Sequence, residues 1–229
     1  MSRTIIVGDV HGCREELELL FAHVGLTGSD QVVMVGDLVV RGPDPTGVLA
    51  LVRDVGARSV RGNHEDRLLR WRKTNGDPET SLGSMHKLTA RQLKKRDWAM
   101  LAELPLWIDL PEHDVRVVHA GVVPNVLIDQ QDPRALMYMR SLGAFGKPSE
   151  SRGRVPWGER YHGPPHVVFG HNAMNDVQIH RAATGIDTGC VYGGRLTAMV
   201  LRAGERPPPT ADRRAVLVSV PARRRYAER

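Results

Sequence analysis

Residues 4–12 read T-I-I-V-G-D-V-H-G, a short apolar run followed at once by a glycine, an aspartate, a histidine and another glycine. The apolar run predicts a buried strand, and glycine lets the backbone turn sharply at its end. Four more predicted strands end in this way, in G-D-L-V-V-R-G-P-D at 36–44, G-N-H-E at 62–65, H-A-G at 119–121 and G-H-N at 170–172. Because functional groups collect beyond the carboxyl ends of strands in open α/β sheets, these segments decide both the fold and the place of the site.

The segments between these motifs alternate between strand and helix patterns. Short apolar runs predict strands at 4–7, 31–35, 58–60, 115–119, 166–170, 177–179, 196–201 and 215–220. Helical spacing predicts helices at 15–24, 46–55, 65–73 and about 85–104, with a short helix near 133–142 inside a loop-like stretch at 129–161. This order predicts an α/β fold with a mixed sheet enclosed by helices.

The length of 229 residues suits one globular domain, and neither a repeat nor a long linker divides the sequence. We expect a single domain over residues 1–229, with a helical insertion at about 64–104 and a C-terminal β-hairpin at about 196–220. The sequence shows no signal-peptide core and no apolar stretch near the roughly 18 residues of a membrane span, so we expect a cytoplasmic protein. Two cysteines, Cys13 and Cys190, are expected in the core.

The chain is basic, and its positive charge is mostly arginine. Lys+Arg 32 exceed Asp+Glu 26, and only five of the basic residues are lysine. An arginine-rich chain suggests nucleic-acid binding, but no helix-turn-helix, zinc-finger or RNP-type motif supports that hypothesis. Much of the charge lies at 58–96 and 202–229, and the first block begins at the G-N-H-E motif. We therefore expect Arg67, Arg70 and Arg72 to attract a phosphate-rich small molecule.

Six side chains at the predicted strand ends are of metal-ligating types, namely Asp9, His11, Asp37, Asn63, His119 and His171. Carboxylates, imidazoles and an amide oxygen, without thiolates, suit Mn²⁺, Fe²⁺, Co²⁺ or Zn²⁺. Six ligands are too many for one open catalytic ion but suit two ions if one carboxylate bridges them. Two such ions clamp the attacking and leaving oxygens of a displacement and lower the pKa of bound water to about 7.

These ordered motifs, GDVHG, GDLVVRGP, GNHE, HAG and FGH, resemble the signature of calcineurin-like metallophosphoesterases, in particular their phosphoprotein-phosphatase branch. The resemblance covers about residues 4–201 and implies a β-sandwich flanked by helices. It implies that Asp9 and His11 hold the first metal and that Asp37 bridges, with Asp37 counted as catalytic for that reason. The second metal would be held by Asn63, His119 and His171, with Asn63 also beside the substrate.

The same resemblance implies the groups that handle the phosphate. His64 matches the general acid that protonates the leaving oxygen, and Arg41 matches a phosphate-clamping arginine, whose planar fork suits phosphoryl oxygens. A second arginine is usual in the family. Arg140 is the first candidate because it lies between the two histidine ligands, and its rivals in the same loop are Arg152 and Arg154. The remaining histidines are interpreted as surface or core residues, namely 23, 86, 113, 162, 166 and 180.

One departure from the family pattern bears on the substrate. Protein phosphatases of this branch have an aspartate that orients the catalytic histidine where this chain has Val40, which cannot accept a hydrogen bond. Bacterial symmetrical diadenosine tetraphosphate hydrolases have a small apolar residue there, and I-D-T-G-C-V-Y-G-G at 186–194 is similar to a segment of theirs. Against this, the chain has GHN where they have GHW. Aromatics are few, with Trp157, Tyr161 and Tyr192 as the available adenine platforms.

Three functional hypotheses follow, and the first is favoured. The first hypothesis is that the chain hydrolyses diadenosine tetraphosphate symmetrically to two ADP. It would use two divalent ions, with Mn²⁺ expected first and Co²⁺, Fe²⁺ or Zn²⁺ as alternatives. Alternatively, the same site acts on phosphoserine, phosphothreonine or phosphotyrosine in proteins. A non-enzymatic nucleic-acid-binding protein is the third hypothesis. The sequence does not indicate an oligomeric state.

Overall fold

A computed structural model describes residues 2–77, 80–153 and 155–228. The strands are β1 Arg3–Val7, β2 Gln31–Met34, β3 Arg58–Ser59, β4 Trp107–Leu110, β5 Val115–Val118, β6 Ser141–Leu142, β7 Pro148–Ser149, β8 His166–Phe169, β9 Gln178–Ile179, β10 Ala183–Gly185, β11 Arg195–Arg202 and β12 Leu217–Pro221. The helices are α1 Arg14–Val24, α2 Pro45–Asp54, α3 Asn63–Lys73, α4 Ser84–Gln92, α5 Lys95–Glu103 and α6 Pro133–Tyr138. None of the helices in these ranges is both long and apolar enough to cross a membrane.

Two five-stranded sheets pack face to face. The first has the order β12-β11-β1-β2-β3 and the second β4-β5-β8-β10-β9. Both sheets are mixed: β1 runs parallel to β2 and antiparallel to β11, and β5 runs parallel to β8 and antiparallel to β4. An apolar cluster between the sheets joins side chains of both, among them Ile6, Val33, Val117 and Val168. The predicted mixed α/β sandwich flanked by helices is confirmed.

The helices cover the outer faces of the two sheets. Leu17, Leu20 and Phe21, at helical spacing, pack α1 against the first sheet, and the helix ends at Gly25 in the left-handed region with φ 59°. Asp44 begins α2 by accepting a hydrogen bond from the Gly47 N–H at 2.8 Å. On the second sheet, α6 contributes Leu136 to a separate cluster around Trp157 and Phe169.

The helix predicted at about 85–104 is wrong as one element, because α4 and α5 are separate helices. Leu93 and Lys94 between them are extended, and the Asp97 carboxylate accepts a hydrogen bond from the Lys94 N–H at 2.9 Å. Asp97 is buried and also pairs with Arg53 at 2.9 Å, so a new helix begins here. The strands β4, β6, β7 and β10 were not predicted from the sequence. A short 3₁₀ turn at Arg213–Val216 precedes β12, which therefore begins later than predicted.

Each functional motif follows the carboxyl end of a strand, as the sequence pattern indicates. At most two residues separate the end of a strand from its motif. The motifs at 8–12, 36–44, 62–65, 119–121 and 170–172 follow β1, β2, β3, β5 and β8 in that order. At the C-terminal end, β11 and β12 pair antiparallel, with Leu196 opposite Val220. The single-domain organisation, including the helical insertion, stays a prediction.

Candidate metal centre

The six predicted ligand residues lie together where these strands end, and we call them the strand-end site. The Asp37 carboxylate contacts both halves of it. Its Oδ2 lies 3.5 Å from His11 Nε2 and 3.4 Å from His119 Nε2. Two groups of possible ligand atoms share Asp37, one with His11 and His64 and the other with His119 and His171. In each group the ligand atoms lie within 4.8 Å of one another. Asp37 is thus placed as a bridging ligand would have to be.

In their neutral forms, the imidazole rings of His119 and His171 each place an unprotonated nitrogen against an oxygen atom. His119 Nδ1 lies 2.8 Å from the Val35 carbonyl and donates to it, so the neutral ring presents an unprotonated Nε2. That Nε2 lies 3.0 Å from Asn63 Oδ1, which cannot donate either. His171 repeats the arrangement, with Nε2 donating to the Tyr138 carbonyl at 3.1 Å and Nδ1 lying 2.9 Å from Asn63 Oδ1.

His11 completes the pattern with Nδ1 3.3 Å from the Val39 carbonyl. In all three rings one nitrogen is fixed by a backbone carbonyl while the other faces the centre, which is how metal-ligating histidines are usually held. A cation resolves the opposition of acceptor atoms at the centre. These residues therefore fit divalent ions.

Buried carboxylates give the centre an excess of negative charge. Asp9, Asp37, Glu65 and Asp187 are all at most 6% exposed. Burial, together with Asp187 and Asp37 nearby, raises the pKa of Asp9 well above its usual range. Burial likewise raises the pKa of Asp187 to about 6. Buried charges are normally paired or coordinate metals, so the cost of burying these carboxylates is a second sign of a cation site.

The histidines respond in opposite directions to the same surroundings. Burial lowers the pKa of His11 to about 4 and lowers that of His64 well below its usual value. Burial also acts to lower the pKa of His119, but the charge and hydrogen bond of Asp37 outweigh it, and the net shift is upward. The upward shift of His119 reflects the contact of its Nε2 with the Asp37 carboxylate, at 3.4 Å.

Glu65, which sequence reasoning did not single out, holds the turn that carries Asp37. Its carboxylate accepts hydrogen bonds from the N–H groups of Asp37 at 2.9 Å, Leu38 at 3.0 Å and Gly62 at 2.9 Å. Glu65 stands at the third helical position and caps the Gly62 N–H, which is the glutamate half of a capping box, but glycine lacks the side chain that would complete the sequence signature. The Glu65 carboxylate accepts a fourth, longer hydrogen bond from the Val39 N–H at 3.3 Å.

Gly36 shows why this turn requires glycine. Its φ is +93°, and an added Cβ would lie 2.8 Å from Gly62 N and 3.0 Å from His119 Nδ1. Several non-glycine residues of the site also have positive φ, namely His11, Asp37, Val40, Arg41 and His171. Such strain is typical of functional sites, where the surrounding structure fixes side chains in place.

His64, the predicted general acid, lies beside the bridging carboxylate. Its Nε2 is 4.0 Å from Asp37 Oδ2, and its backbone N–H donates to Asp37 Oδ1 at 3.0 Å. On its other side, Nδ1 lies 3.0 Å from Nε2 of His86. His86 was interpreted as an ordinary core or surface residue, and nothing in the motif pattern pointed to it. His64 thus has a side-chain partner although Val40 cannot provide one.

The predicted phosphate-binding arginines gather near the site. Arg41 Nη1 lies 3.3 Å from His11 Nε2, and its guanidinium lies 5.3 Å from the Tyr192 ring centroid. Arg140 is half-buried, and its Nε is buried without a hydrogen-bond partner in the described ranges. Burial, followed by repulsion from Arg152 and Arg41, lowers the pKa of Arg140. Arg154 lies outside the described residues.

Within the described part of the chain, none of Arg41, Arg140 and Arg152 pairs with a carboxylate. Arg140 donates to the Glu150 carbonyl at 3.0 Å, and Arg152 donates to Asn172 Oδ1 at 3.0 Å. Like charges brought together without carboxylate partners favour the binding of an anion.

A cleft of about 960 Å³ opens beside the strand-end site. Its lining includes Asn63, His64 and His86 together with four arginines, Arg41, Arg67, Arg70 and Arg134. Arg70 pairs with Asp66 at 3.0 Å and Arg134 with Glu150 at 2.5 Å. Arg72 does not line the cleft and instead stacks on Trp98 at 4.6 Å. The cleft is thus lined by cationic side chains next to an acidic interior.

Two of the three predicted aromatic platforms, Trp157 and Tyr161, lie away from the cleft, whereas Tyr192 lies beside Arg41. Trp157 is fully buried in the second sheet's core and donates its indole N–H to the Ala120 carbonyl at 3.0 Å. Tyr161 packs edge-on against Trp157 and lines a different cavity. The aromatic side chains that line the cleft are Tyr138 and Tyr226, which the sequence analysis did not identify.

Cys13 and Cys190 are buried, as predicted, and lie with Glu16 in a third group of possible ligand atoms within 4.8 Å of one another. A hydrogen bond with Cys190 and burial raise the pKa of the Cys13 thiol far above its usual range. One Glu16 oxygen accepts from Tyr226 Oη at 2.7 Å and from the Arg223 N–H at 3.0 Å. Neutral thiols packed in this way are typical of core cysteines.

Known proteins share both the sequence and the fold of this chain. A family model described as calcineurin-like phosphoesterase matches residues 2–205. Bis(5'-nucleosyl)-tetraphosphatase PrpE of Oceanobacillus iheyensis, described as asymmetrical, is 33% identical over 84% of this chain and 86% of its own length. The protein of the same name from Anoxybacillus flavithermus is 29% identical over 85% of this chain and 88% of its own.

Solved structures agree with this relationship. A crystal structure described as that of a candidate diadenosine tetraphosphatase is 39% identical with a TM-score of 0.83, over 96% of this chain and 93% of the other. A protein serine/threonine phosphatase of Saccharomyces cerevisiae, 18% identical with a TM-score of 0.60, covers 100% of this chain and 81% of its own and shares the fold. By sequence and by fold, the chain belongs to the calcineurin-like phosphoesterase family of metal-dependent hydrolases.

Proposed function

We propose that this chain hydrolyses dinucleoside tetraphosphates with two divalent metal ions held at the strand-end site. The observation that carries the proposal is the position of Arg41, Arg140 and Arg152, which lack carboxylate partners in the described ranges and lie beside that site. A polyphosphate presents several anionic oxygens in a row, and guanidinium forks match such oxygens in pairs. The adjoining cleft of about 960 Å³ offers room for a nucleotide.

The proposed division of the ligands is the one that the family resemblance implies, and it agrees with the structure in that His11 lies in one group around Asp37 while His119 and His171 lie in the other. Asp9 and His11 would hold one ion, while Asn63, His119 and His171 would hold the other. Mn²⁺ is our first choice because carboxylate and imidazole ligands without thiolates suit it. When bound, the two ions would activate water and neutralise charge on the attacked phosphoryl group.

The chain's own residues supply the remaining functions. Arg41, which lines the cleft, and Arg140, which lies beside the strand-end site, would bind non-bridging phosphate oxygens and fix the phosphate chain over that site. His64 would give its Nε2 proton to the oxygen that leaves. Burial lowers the pKa of His64, but an anionic phosphate beside the ring favours its charged form.

The position of cleavage is the finer part of the proposal. The sequence resemblance predicted symmetrical cleavage to two ADP. The relatives at 29% and 33% identity are described as asymmetrical, over more than four fifths of this chain. We therefore propose asymmetrical cleavage, in which one water and one diadenosine tetraphosphate give ATP and AMP.

Chromatography of the products tests both parts of this proposal. The enzyme is incubated with Mn²⁺ and diadenosine tetraphosphate, and separately with phosphoserine and phosphotyrosine peptides. The Asp37→Asn variant, purified in the same way, controls for contaminating hydrolases. We expect ATP and AMP in equal amounts. Two ADP would restore the symmetrical prediction, and turnover of peptides with an intact tetraphosphate would contradict the proposal.

A further inference from the structure

His64 requires a partner at Nδ1 if its Nε2 is to carry a proton towards the cleft. An imidazolium has N–H groups at both ring nitrogens, so one of them must find an acceptor inside the protein. In protein phosphatases of the same branch the acceptor for this histidine is an aspartate, but this chain has Val40 at that position, with a fully buried side chain. The question is therefore which group of this chain replaces that aspartate.

The geometry points to His86 as the positioning residue for His64, an inference that rests on the proposed function of His64 as general acid. His86 Nε2 lies 3.0 Å from His64 Nδ1. The two rings are nearly parallel, at 8° with centroids 4.8 Å apart. Both side chains are buried, with 5% of His64 and 8% of His86 exposed. Few alternative orientations are therefore open to either ring.

The direction of this hydrogen bond follows from the role of His64. When His64 is charged, its Nδ1–H donates, so His86 Nε2 must accept and the proton of His86 must sit on Nδ1. Burial and the nearby guanidinium groups of Arg67 and Arg41 lower the pKa of His86 to about 4, which agrees with a neutral acceptor. After His64 has given its Nε2 proton to the leaving oxygen, its neutral ring keeps the Nδ1–H and the bond to His86.

His86 differs from an aspartate in charge, and the difference suits the proposed substrate. A neutral acceptor orients His64 without stabilising its charged form as strongly as a carboxylate does. A nucleotide phosphate is a less basic leaving group than a serine alkoxide, since its second pKa is about 6. An enzyme that cleaves anhydrides therefore needs a correctly aimed acid more than a strongly stabilised one.

Substitutions at position 86 test this inference with aryl phosphates, which do not depend on nucleotide recognition. His86→Leu removes the acceptor, while His86→Gln keeps one, because its Oε1 lies as many bonds from Cα as the histidine Nε2 does. Lys87→Ala, an exposed position on the same helix, is the matched control. We expect His86→Leu to lower kcat roughly 10- to 100-fold for phenyl phosphate, with less than about threefold change for p-nitrophenyl phosphate.

The Gln variant should recover most of the phenyl phosphate rate, and KM should change little in either variant. Equal losses on the two esters, or a Gln variant as slow as the Leu variant, would overturn the inference. If diadenosine tetraphosphate is not cleaved but the aryl phosphates are, the proposed substrate fails while the ratio of the two esters still decides the role of His86.

A spectroscopic measurement decides the role of His86 even if no ester is hydrolysed. Ring nitrogen NMR of the enzyme loaded with diamagnetic Zn²⁺ reports the hydrogen bonding of His64 Nδ1. We expect this resonance to shift in His86→Leu, to shift less in His86→Gln and to stay unchanged in Lys87→Ala. An unchanged His64 resonance in a folded His86→Leu protein would overturn the inference.

Discussion

Buried histidines occur in two regions of this molecule, and their surroundings differ. At the strand-end site, unprotonated nitrogens of His119 and His171 both face Asn63 Oδ1, at 3.0 and 2.9 Å. The second region surrounds His113 and His166. There His113 lies between the Glu205 carbonyl at 2.7 Å and Thr4 Oγ1 at 2.8 Å. Each nitrogen of His113 has its own hydrogen-bond partner, a carbonyl or a hydroxyl, and the Glu112 carboxylate lies 3.8 Å from Nε2.

His166 belongs to the same second region, but its ring nitrogen has different hydrogen-bond partners. Its Nε2 lies 2.9 Å from Thr184 Oγ1 and 2.9 Å from Nη1 of Arg213. Arginine can only donate, so this nitrogen accepts and the ring is neutral. Burial of a histidine therefore does not indicate function by itself. What distinguishes the site is that, with neutral imidazoles, acceptors face acceptors, an arrangement that suits a bound cation.

The largest expected effect comes from the carboxylate that both halves of the site share. Asp37→Asn should lower kcat/KM roughly 1,000-fold or more, because several kcal/mol of charge stabilisation depend on the bridging ligand. Steady-state hydrolysis of diadenosine tetraphosphate with saturating Mn²⁺ measures this loss. The contrasting substitution is His113→Gln, which should cost about 1–3 kcal/mol of unfolding free energy but leave kcat within about threefold. A large loss of kcat in folded His113→Gln would show that His113 is not only a structural residue and would contradict the contrast between the two regions.

A smaller effect is expected from the arginines beside the site. Arg140→Gln should raise KM for the tetraphosphate about tenfold, since a hydrogen bond to a charged group is worth roughly 1.5–3 kcal/mol. Arg152 donates Nε and Nη2 to Asn172 and Ala173, so we expect Arg152→Gln to raise KM less. Parallel saturation curves for the two variants compare them. A larger effect at Arg152 would make it the phosphate-binding arginine instead.

The smallest effect concerns the acid stability of the second region. Burial, together with the charge of Arg213, lowers the pKa of His166 to about 3. Between pH 6.5 and 3 the unfolded chain binds a proton that the folded chain refuses, so unfolding free energy falls as the pH falls. The slope contributed is at most about 1.4 kcal/mol per pH unit.

His166→Gln keeps an acceptor for Arg213 and removes the titration. We expect this variant to be less stable than the unsubstituted protein at pH 7, and its deficit to shrink as the pH falls towards 4. Urea unfolding at several pH values measures the difference. A deficit that grows at lower pH would contradict a neutral His166.

The sequence predicted the site far better than the groups that support it. Asp9, His11, Asp37, Asn63, His119 and His171 could be identified because each follows a strand in a recognisable motif. His86 could not, because it lies 22 positions after His64 on another helix, and only tertiary packing brings the rings together. Local patterns reveal residues that a strand end positions, but not partners supplied from distant elements.

Two other departures have local physical causes. The break between α4 and α5 depends on Asp97, whose capping hydrogen bond and pairing with Arg53 outweigh the continuous helical pattern. Trp157 was predicted as an adenine platform from its type alone, but it fills the core beneath β8. An aromatic residue in a loop-like segment can thus be a core residue, which burial decides and composition does not.

The number of metal ions bound per chain tests directly whether the strand-end site binds two divalent ions through a shared Asp37. Calorimetric titration of metal-free protein with Mn²⁺, checked by elemental analysis, counts the ions. We expect two ions per chain for the unsubstituted protein, two for His113→Gln, and at most one for Asp37→Asn. A single ion in the unsubstituted protein, or two ions retained by Asp37→Asn, would contradict a two-metal site bridged by Asp37.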